Sequence, residues 1–245
     1  MILIFSHSRL PAFNLAAEEY LFSGHQDEIM FVYVNEPSVI IGCNQAIRNE
    51  VDTTFCRDNN IVVVRRMSGG GAVYHDRGNL NFCLIHNNTT GKFALDDAFL
   101  KPVTEVLEKM EVPVTVGKRK DLWLQNEYKV SGTASHFSKD RVLQHGTLLY
   151  DTRLDLLEHA LASPDADENV RAIPSVRSRV KNLRGWFEEQ GLVTMDSEVF
   201  FETFVNRLCS YYGLDKAMGF DEKEIKAITE LAKQKYSSES WTNKK

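Results

Sequence analysis

Short β-branched runs and stretches of helical spacing alternate along this chain. The segment that starts at Pro11 carries Leu15, Ala16, Glu19, Tyr20 and Phe22 at helical intervals, and Gly24 stands at the expected C′ position. Two β-branched runs follow at 29–34 and 39–41, split by Asn35-Glu36-Pro37, which predicts a pair of strands around a turn. A short helix over 51–59, a buried strand over 61–64 and a returning strand over 79–85 come next. Phe99, Val103, Val106, Leu107 and Met110 give helical spacing to 96–110, with Pro102 placed in the first turn, where its missing N–H costs nothing. Strands are predicted at 112–116, 121–125, 128–130 and 146–150, with Asn126-Glu127 as a tight connection. Helices are predicted at 154–161, 197–212 and 222–236; on the second, Phe200, Phe204 and Leu208 form one stripe that simple core packing explains. No repeat, low-complexity tract or linker interrupts the pattern, so the expectation is one α+β domain over 1–245: a mixed sheet flanked by helices.

Composition narrows the classes. With 43% apolar residues, 245 residues can bury a substantial core. A formal charge of −5 gives a broad nucleic-acid-binding face no support. The four cysteines, at 43, 56, 83 and 209, form no C-x-x-C pair and read as reduced and cytosolic. The first residues lack a basic n-region and a long apolar h-region, and no segment is long enough to span a bilayer. The expectation is a cytoplasmic protein without nucleic-acid or membrane partners. The histidines lack paired cysteines or H-x-x-x-H spacing, so no structural metal is expected.

Chemistry concentrates in Arg65-Arg66-Met67-Ser68-Gly69-Gly70-Gly71-Ala72-Val73-Tyr74-His75-Asp76, directly after the strand at 61–64. Glycines take φ > 0 and have no Cβ, so their amides can turn toward an anion, and Arg65 or Arg66 can add charge-assisted bonds. Taken alone, three glycines favour a glycine-rich hairpin with two solvated arginines. Neither G-x-G-x-x-G nor G-x-x-x-x-G-K-[ST] is present.

Support comes from further blocks. Residues 65–82, Lys129-Val130-Ser131-Gly132-Thr133-Ala134 and His145-Gly146-Thr147-Leu148-Leu149 occur in the order that resembles the lipoate–protein ligase A family. Residues 173–183 resemble the adenylate-binding loop of that family and of mitochondrial lipoyltransferases, and 13–20 is similar to its first helix. The resemblance runs from about residue 10 to about residue 240 and implies the fold shared by biotin and lipoate ligases. It also implies adenylation of lipoate by ATP with Mg²⁺, then transfer of the lipoyl group to an acceptor lysine. By the same carry-over Lys129 matches the lysine that stabilises charge where carboxylate meets α-phosphate. Arg66 and Gly71, Ala72, Val73 and Tyr74 match ATP-contacting positions, with Ser68, Gly69 and Gly70 completing the loop around lipoyl-AMP. Asp121 matches a carboxylate that helps place Mg²⁺ or phosphates, though Asp76 reads equally as a turn cap. For His145, orienting a pocket group and packing beside its strand stand level. Arg177, Arg179 and Lys181 alternate, so on an extended segment they share a face suited to phosphate or to acidic lipoyl domains. The implied acceptors are lipoyl domains of 2-oxoacid dehydrogenase E2 subunits and the glycine-cleavage H protein.

Two departures from the family pattern leave rivals standing. Ile41-Gly42-Cys43-Asn44-Gln45 has Cys43 where many members have arginine, which raises a thioester-forming octanoyl or lipoyl amidotransferase; no cation sits beside Cys43 in the sequence, and it reads as a structural substitution. The chain also stops near where an accessory domain begins in two-domain ligases. The expectation is therefore a catalytic domain without that domain, whose alternatives are a split ligase with a separate accessory subunit, a lipoyltransferase fed with lipoyl-AMP, or a non-catalytic lipoate-binding module.

Overall fold

The computed structural model describes residues 1–88, 99–125, 127–167 and 172–244. Its centre is a five-stranded sheet in the order β1 (Ile2–Phe5), β2 (Ile29–Val34), β6 (Asn79–Asn87), β11 (Arg141–Leu149), β10 (Thr133–Phe137). β1 runs parallel to β2 and the other pairs are antiparallel, so the sheet is mixed. Alternation explains why β2 is buried throughout: Met30, Val32 and Val34 enter one core, while Ile29, Phe31 and Tyr33 enter the other. A second mixed sheet, β4 (Val62–Arg65), β3 (Ser38–Ile41), β5 (Val73–His75), lies across from the second face. A third, antiparallel sheet joins β7 (Val114–Val116), β8 (Leu122–Leu124) and β9 (Tyr128–Ser131).

Helices cover both sides. α4 (Lys101–Glu108), α6 (Leu183–Glu189) and α7 (Ser197–Tyr212) close the first core, where Phe200 stacks on Tyr150 with ring centroids 3.9 Å apart. Such a pair contributes about 0.5–1.5 kcal/mol beyond its buried area. α1 (Pro11–Gly24) and α8 (Glu222–Leu231) cover the second core. α2 (Ile47–Glu50), α3 (Thr53–Asp58) and α5 (Leu154–Ala160) lie in chain order around the second sheet, whose outer face packs Val39, Ile41, Tyr74 and Cys56 in a small third core. α3 starts after Asp52, which caps it by accepting the Phe55 amide, so its first residue, Thr53, comes two residues later than the helix expected over 51–59. α7 keeps the predicted bounds, and Pro102 falls in the first turn of α4. Residues 96–98 of the predicted helix and Asn126 of the predicted connection lie outside the described residues.

Several expectations change. The runs at 29–34 and 39–41 are strands but not partners, because the chain leaves the first sheet at Asn35 and enters the second at Ser38. Pro37 cannot donate to a ladder, and buried Asn35 gives its side chain to Asn14 and His75. The strand at 79–85 returns between β2 and β11, not beside β4. Gly24 ends α1 as its last residue, and the C-cap is His25 in extended conformation. β1, β5, β10 and α6 were not predicted. The helix expected over 222–236 is α8 followed by a π-helical turn, Ala232–Tyr236, and a last short helix, α9 (Glu239–Thr242).

Candidate active site

Between the first and second sheets lies a cavity of about 310 Å³, lined from one side by Leu15, Tyr33, Asn81, His145 and Thr147 and from the other by Ile40, Arg66, Val73 and His75. Gly70, Gly71 and Ala72, the 173–176 segment, Lys129, Asp121, Arg119 and Gly132 also line it. The glycine loop and the Lys129 strand, which the sequence could not join, share one wall.

Arg66 builds the loop. Its Nε donates to Ser68 Oγ at 2.9 Å, Nη1 to Ile40 O at 3.0 Å, and Nη2 to Gly69 O and Gly71 O. Burial pulls this guanidinium down to about 10, while the Glu18 carboxylate opposes the drop, so it stays cationic at neutral pH. Gly70 takes φ = 84°, open to glycine without strain. A Cβ on Gly42 would stand 2.1 Å from Gly70 O, so the first sheet-to-loop contact also needs a bare backbone. Arg65 has a different role from that expected: its side chain is buried and bonds Gly42 O, Gln45 O and Thr242 O at 2.8, 2.8 and 3.0 Å, away from the cavity.

Behind the loop runs a chain of buried polar groups. His145 holds both Glu18 carboxylate oxygens within 2.9 Å of Nδ1 and Ser68 Oγ within 2.7 Å of Nε2. A carboxylate only accepts, so Nδ1–H donates to Glu18, and Nε2 pairs with the Ser68 hydroxyl. Tyr33 Oη adds a bond to Glu18 at 3.0 Å. Glu18, Cys83 and His145 place three ligand atoms within 4.8 Å of one another, but Glu18 already receives the Tyr33, His145 and Cys83 donors. Ser68 and Gly69 thus support the loop from behind rather than lining the cavity. Glu18 has no counterpart in the sequence reading; a carboxylate on the buried face of α1 was the only available signal.

Lys129 is fixed by its backbone. Its N–H donates to Arg179 O at 2.8 Å and its carbonyl accepts from Lys181 N at 3.2 Å, so β9 carries a short parallel bridge to the 179–181 segment. Nζ lies 3.4 Å from Asp121 Oδ2. Burial lowers the Lys129 ammonium below its ordinary value, and Asp121 opposes that shift. For Asp121, burial pushes upward but is outweighed by a Trp123 hydrogen bond and the Lys129 charge, which leave it below the ordinary carboxylate range. Oδ2 is buried and faces two cations, Lys129 Nζ at 3.4 Å and Arg119 Nη2 at 3.7 Å, with no closer hydrogen-bond donor among the described residues. A buried carboxylate oxygen with free lone pairs beside an anion site fits one contact to a hard divalent cation.

The 173–176 segment is laced to the glycine loop. Ser175 Oγ accepts from Ala72 N at 2.8 Å and from Gln45 Nε2 at 3.1 Å, while Glu50 takes the Ser175 amide at 3.1 Å. Ser175, Gln45 and Glu50 were not singled out from the sequence because each is unremarkable until the loops meet.

Other predicted residues fall elsewhere. Tyr74 points into the third core, not into the cavity. Arg177 and Arg179 line a neighbouring opening of about 880 Å³ that shares Lys129, Gly132 and Ser175 with the first. Arg177, Arg179 and Lys181 do not gather on one face. Arg179 and Lys181 sit over the Tyr128 ring at 5.1 and 4.9 Å, whereas Arg177 turns to Leu161 O. Asp76 caps its turn by accepting Gly78 N and Arg153 N. Cys43 differs too, since a cation does stand beside it, Arg65 Nη1 reaching its carbonyl at 3.3 Å, yet it does not line the Lys129 cavity.

Comparison with known proteins agrees with this geometry. Residues 10–209 match the family described as the lipoyl protein ligase A/B catalytic domain. The chain is 34% identical over 236 residues to the lipoate-protein ligase LplJ of Bacillus subtilis, covering 94% of this chain and 70% of that protein. It superposes with a TM-score of 0.77 on a bi-partite lipoate protein ligase from Thermoplasma acidophilum, studied with its E2 lipoyl domain, at 27% identity over 99% of this chain and 95% of that one. A lipoate-protein ligase A bound with ATP gives 0.78 at 26% identity, over 99% and 98% of the two chains. The cavity between two mixed sheets, with its glycine loop and its lysine, is thus the centre of a chain that belongs to the lipoyl protein ligase A/B catalytic-domain family.

Proposed function

We propose that this chain activates lipoate with ATP and transfers the lipoyl group to a lysine of an acceptor lipoyl domain. In the first step a lipoate carboxylate oxygen attacks the α-phosphorus and pyrophosphate leaves; in the second the acceptor amine attacks the acyl carbonyl and AMP leaves. One observation carries the reading: Lys129, the glycine loop and Ser175 converge on one cavity whose inner wall, with Leu15, Tyr33 and Ile40, suits an acyl chain. Lys129 is the ammonium that would stabilise charge on the reacting oxygens in both steps. The glycine loop, held in place by Arg66 and by Ser175, which takes the Ala72 amide, would form the nucleotide side. Asp121 would hold Mg²⁺ by one carboxylate oxygen, and the cation neutralises phosphate charge when bound. Arg177 and Arg179, on the adjoining opening, suit the outer phosphate or an acidic acceptor surface. We read residues 1–245 as one catalytic domain that works in the cytoplasm; among the described residues, no helix is long and apolar enough to cross a membrane.

The test is lipoate-dependent exchange of pyrophosphate into ATP with the purified chain and Mg²⁺. Exchange should be present and fall by about a hundredfold in Lys129→Ala, the typical cost of one charge-stabilising donor. Absent exchange, with retained transfer from supplied lipoyl-AMP to a lipoyl domain, would instead establish a transferase or the catalytic half of a two-polypeptide ligase. The likeness to the bi-partite lipoate protein ligase of Thermoplasma acidophilum favours this second reading. A cysteine mechanism would need Cys43 at the reacting carbonyl, and Cys43 does not line the cavity.

A further inference from the structure

His75 has no role in the proposed steps, yet its ring lines the cavity and is 4% exposed. Its environment decides which nitrogen carries the proton. Asn14 Nδ2 donates to Ser8 O at 2.9 Å, and a carbonyl can only accept, so the orientation of this amide is fixed. The same Nδ2 donates to Asn35 Oδ1 at 2.8 Å, which leaves Asn35 Nδ2 facing His75 Nδ1 at 3.0 Å. An amide nitrogen is a donor only, so Nδ1 must accept, and the ring proton sits on Nε2. That Nε2 is buried and has no hydrogen-bond partner among the described residues. Burial, with the nearby Arg66 and His145, pulls the ring down to about 3, so it is a neutral donor throughout the physiological range.

Position indicates what the donor meets. Lys129, Ser175 and the loop of Gly70 to Ala72 line the same cavity, and the loop is tied to Ser175 through the Ala72 amide. β5 leaves that loop, and from Val73 to His75 it advances by roughly 6–7 Å, the rise of two strand residues. His75 is therefore set two strand residues past the glycine loop, in the cavity that Leu15, Tyr33 and Ile40 also line. A saturated fatty acid brings only methylenes to such a wall, whereas lipoate brings ring sulfur.

We propose that the Nε2–H of His75, held in one tautomer by Asn35 and Asn14, is the polar contact by which the cavity distinguishes a dithiolane acid from a saturated fatty acid of equal chain length. The inference rests on lipoate being the acyl substrate and names the residue that selects it. Sulfur is a weak acceptor, but the comparison is not with water. With octanoate bound, a buried N–H remains unpaired, and a site that carries an unmet donor rejects the analogue that leaves it so.

The test is calorimetric titration of the full chain with lipoate and with octanoate, which needs no adenylation. The parent should prefer lipoate. His75→Leu should reduce that preference by about fivefold to tenfold, the worth of one neutral hydrogen bond, and His75→Gln, whose amide offers an N–H near the same place, should retain most of it. Equal weakening toward both acids in His75→Leu would overturn the assignment, because a packing or head-group role moves both alike. If the leucine variant does not fold, heteronuclear NMR of the parent's histidine rings decides. The Nε2–H tautomer, shifted by lipoate and not by octanoate, supports the proposal; the Nδ1–H tautomer, or equal shifts, sinks it. A parent that binds neither acid would overturn the functional reading and this inference together.

Discussion

His75 carries a second consequence besides selectivity, because a histidine kept neutral in the fold is a proton-linked source of stability. Its folded value is lowered from 6.5 to about 3 by burial first and by neighbouring Arg66 and His145 next. Unfolded, the ring binds a proton below about 6.5, so between these limits the unfolded state holds more protons than the native one. The stabilising contribution is therefore complete above about 6.5 and is lost as pH falls toward 3. Urea melts of the parent should show a steeper loss of stability from neutral pH to about 4 than those of His75→Gln, which cannot titrate there. Equal slopes would mean that His75 is protonated in the native state, against the Asn35 contact. Little of this was legible in the sequence. The glycine run points to an anion site only with the family resemblance, which also brings in Lys129, whereas Asn14, Asn35 and His75 stand 21 and 40 residues apart in successive contacts, and nothing local marks them as one relay. Glu18 was hidden for a related reason. On a helix of apolar spacing one carboxylate reads as solvent-facing, and only its partners Tyr33 and His145, from two other strands, account for its burial.

At the scale of elements, the patterns that depend on a single segment were readable and those that depend on pairing were not. α7 and the first turn of α4 follow from apolar spacing and one proline. The separation of β2 from β3 does not, because a short gap with a proline describes a hairpin and a sheet-to-sheet crossing equally well. That crossing matters for the site, since it places β3 and its following Gly42 against the glycine loop. Gly42→Ala is the local test. The new Cβ would meet the Gly70 carbonyl at 2.1 Å and the Arg66 Nη2 at 3.3 Å, and the first of these is backbone that cannot swing aside. The substitution should cost about 1–3 kcal/mol, the usual range for overpacking a tight site. It should also raise the KM for ATP, because the loop must shift to admit the methyl. Unchanged stability and unchanged KM would show that the two loops do not rely on this contact.

Across the whole molecule, Arg65 ties three distant parts of the chain. Its guanidinium binds Gly42 O and Gln45 O, Gln45 in turn reaches Ile173 O and Ser175 Oγ, and its Nε holds Thr242 O. Trp241 Nε1 donates to the Arg65 carbonyl at 2.8 Å, and its ring sits under Lys235 at 4.2 Å. The last short helix is therefore connected, through one buried cation, to the segment that laces the nucleotide side of the cavity. Burial lowers the Arg65 guanidinium from its ordinary value, so its charge is maintained by these carbonyls and not by solvent. Arg65→Met would strip several buried carbonyls of their donor at once, and a loss of about 2–4 kcal/mol follows if each orphaned group costs about 1 kcal/mol or more. Trp241→Phe is the gentler probe. It removes one hydrogen bond, worth about 1 kcal/mol, and leaves every cavity residue in place. If the last helix steadies the 173–175 segment through Arg65, this variant should raise the KM for ATP severalfold with a smaller change in kcat, read from the pyrophosphate exchange assay. A variant that loses stability but keeps the parent KM would confine Arg65 and Trp241 to holding the fold, and the coupling between the end of the chain and the nucleotide side would be refuted.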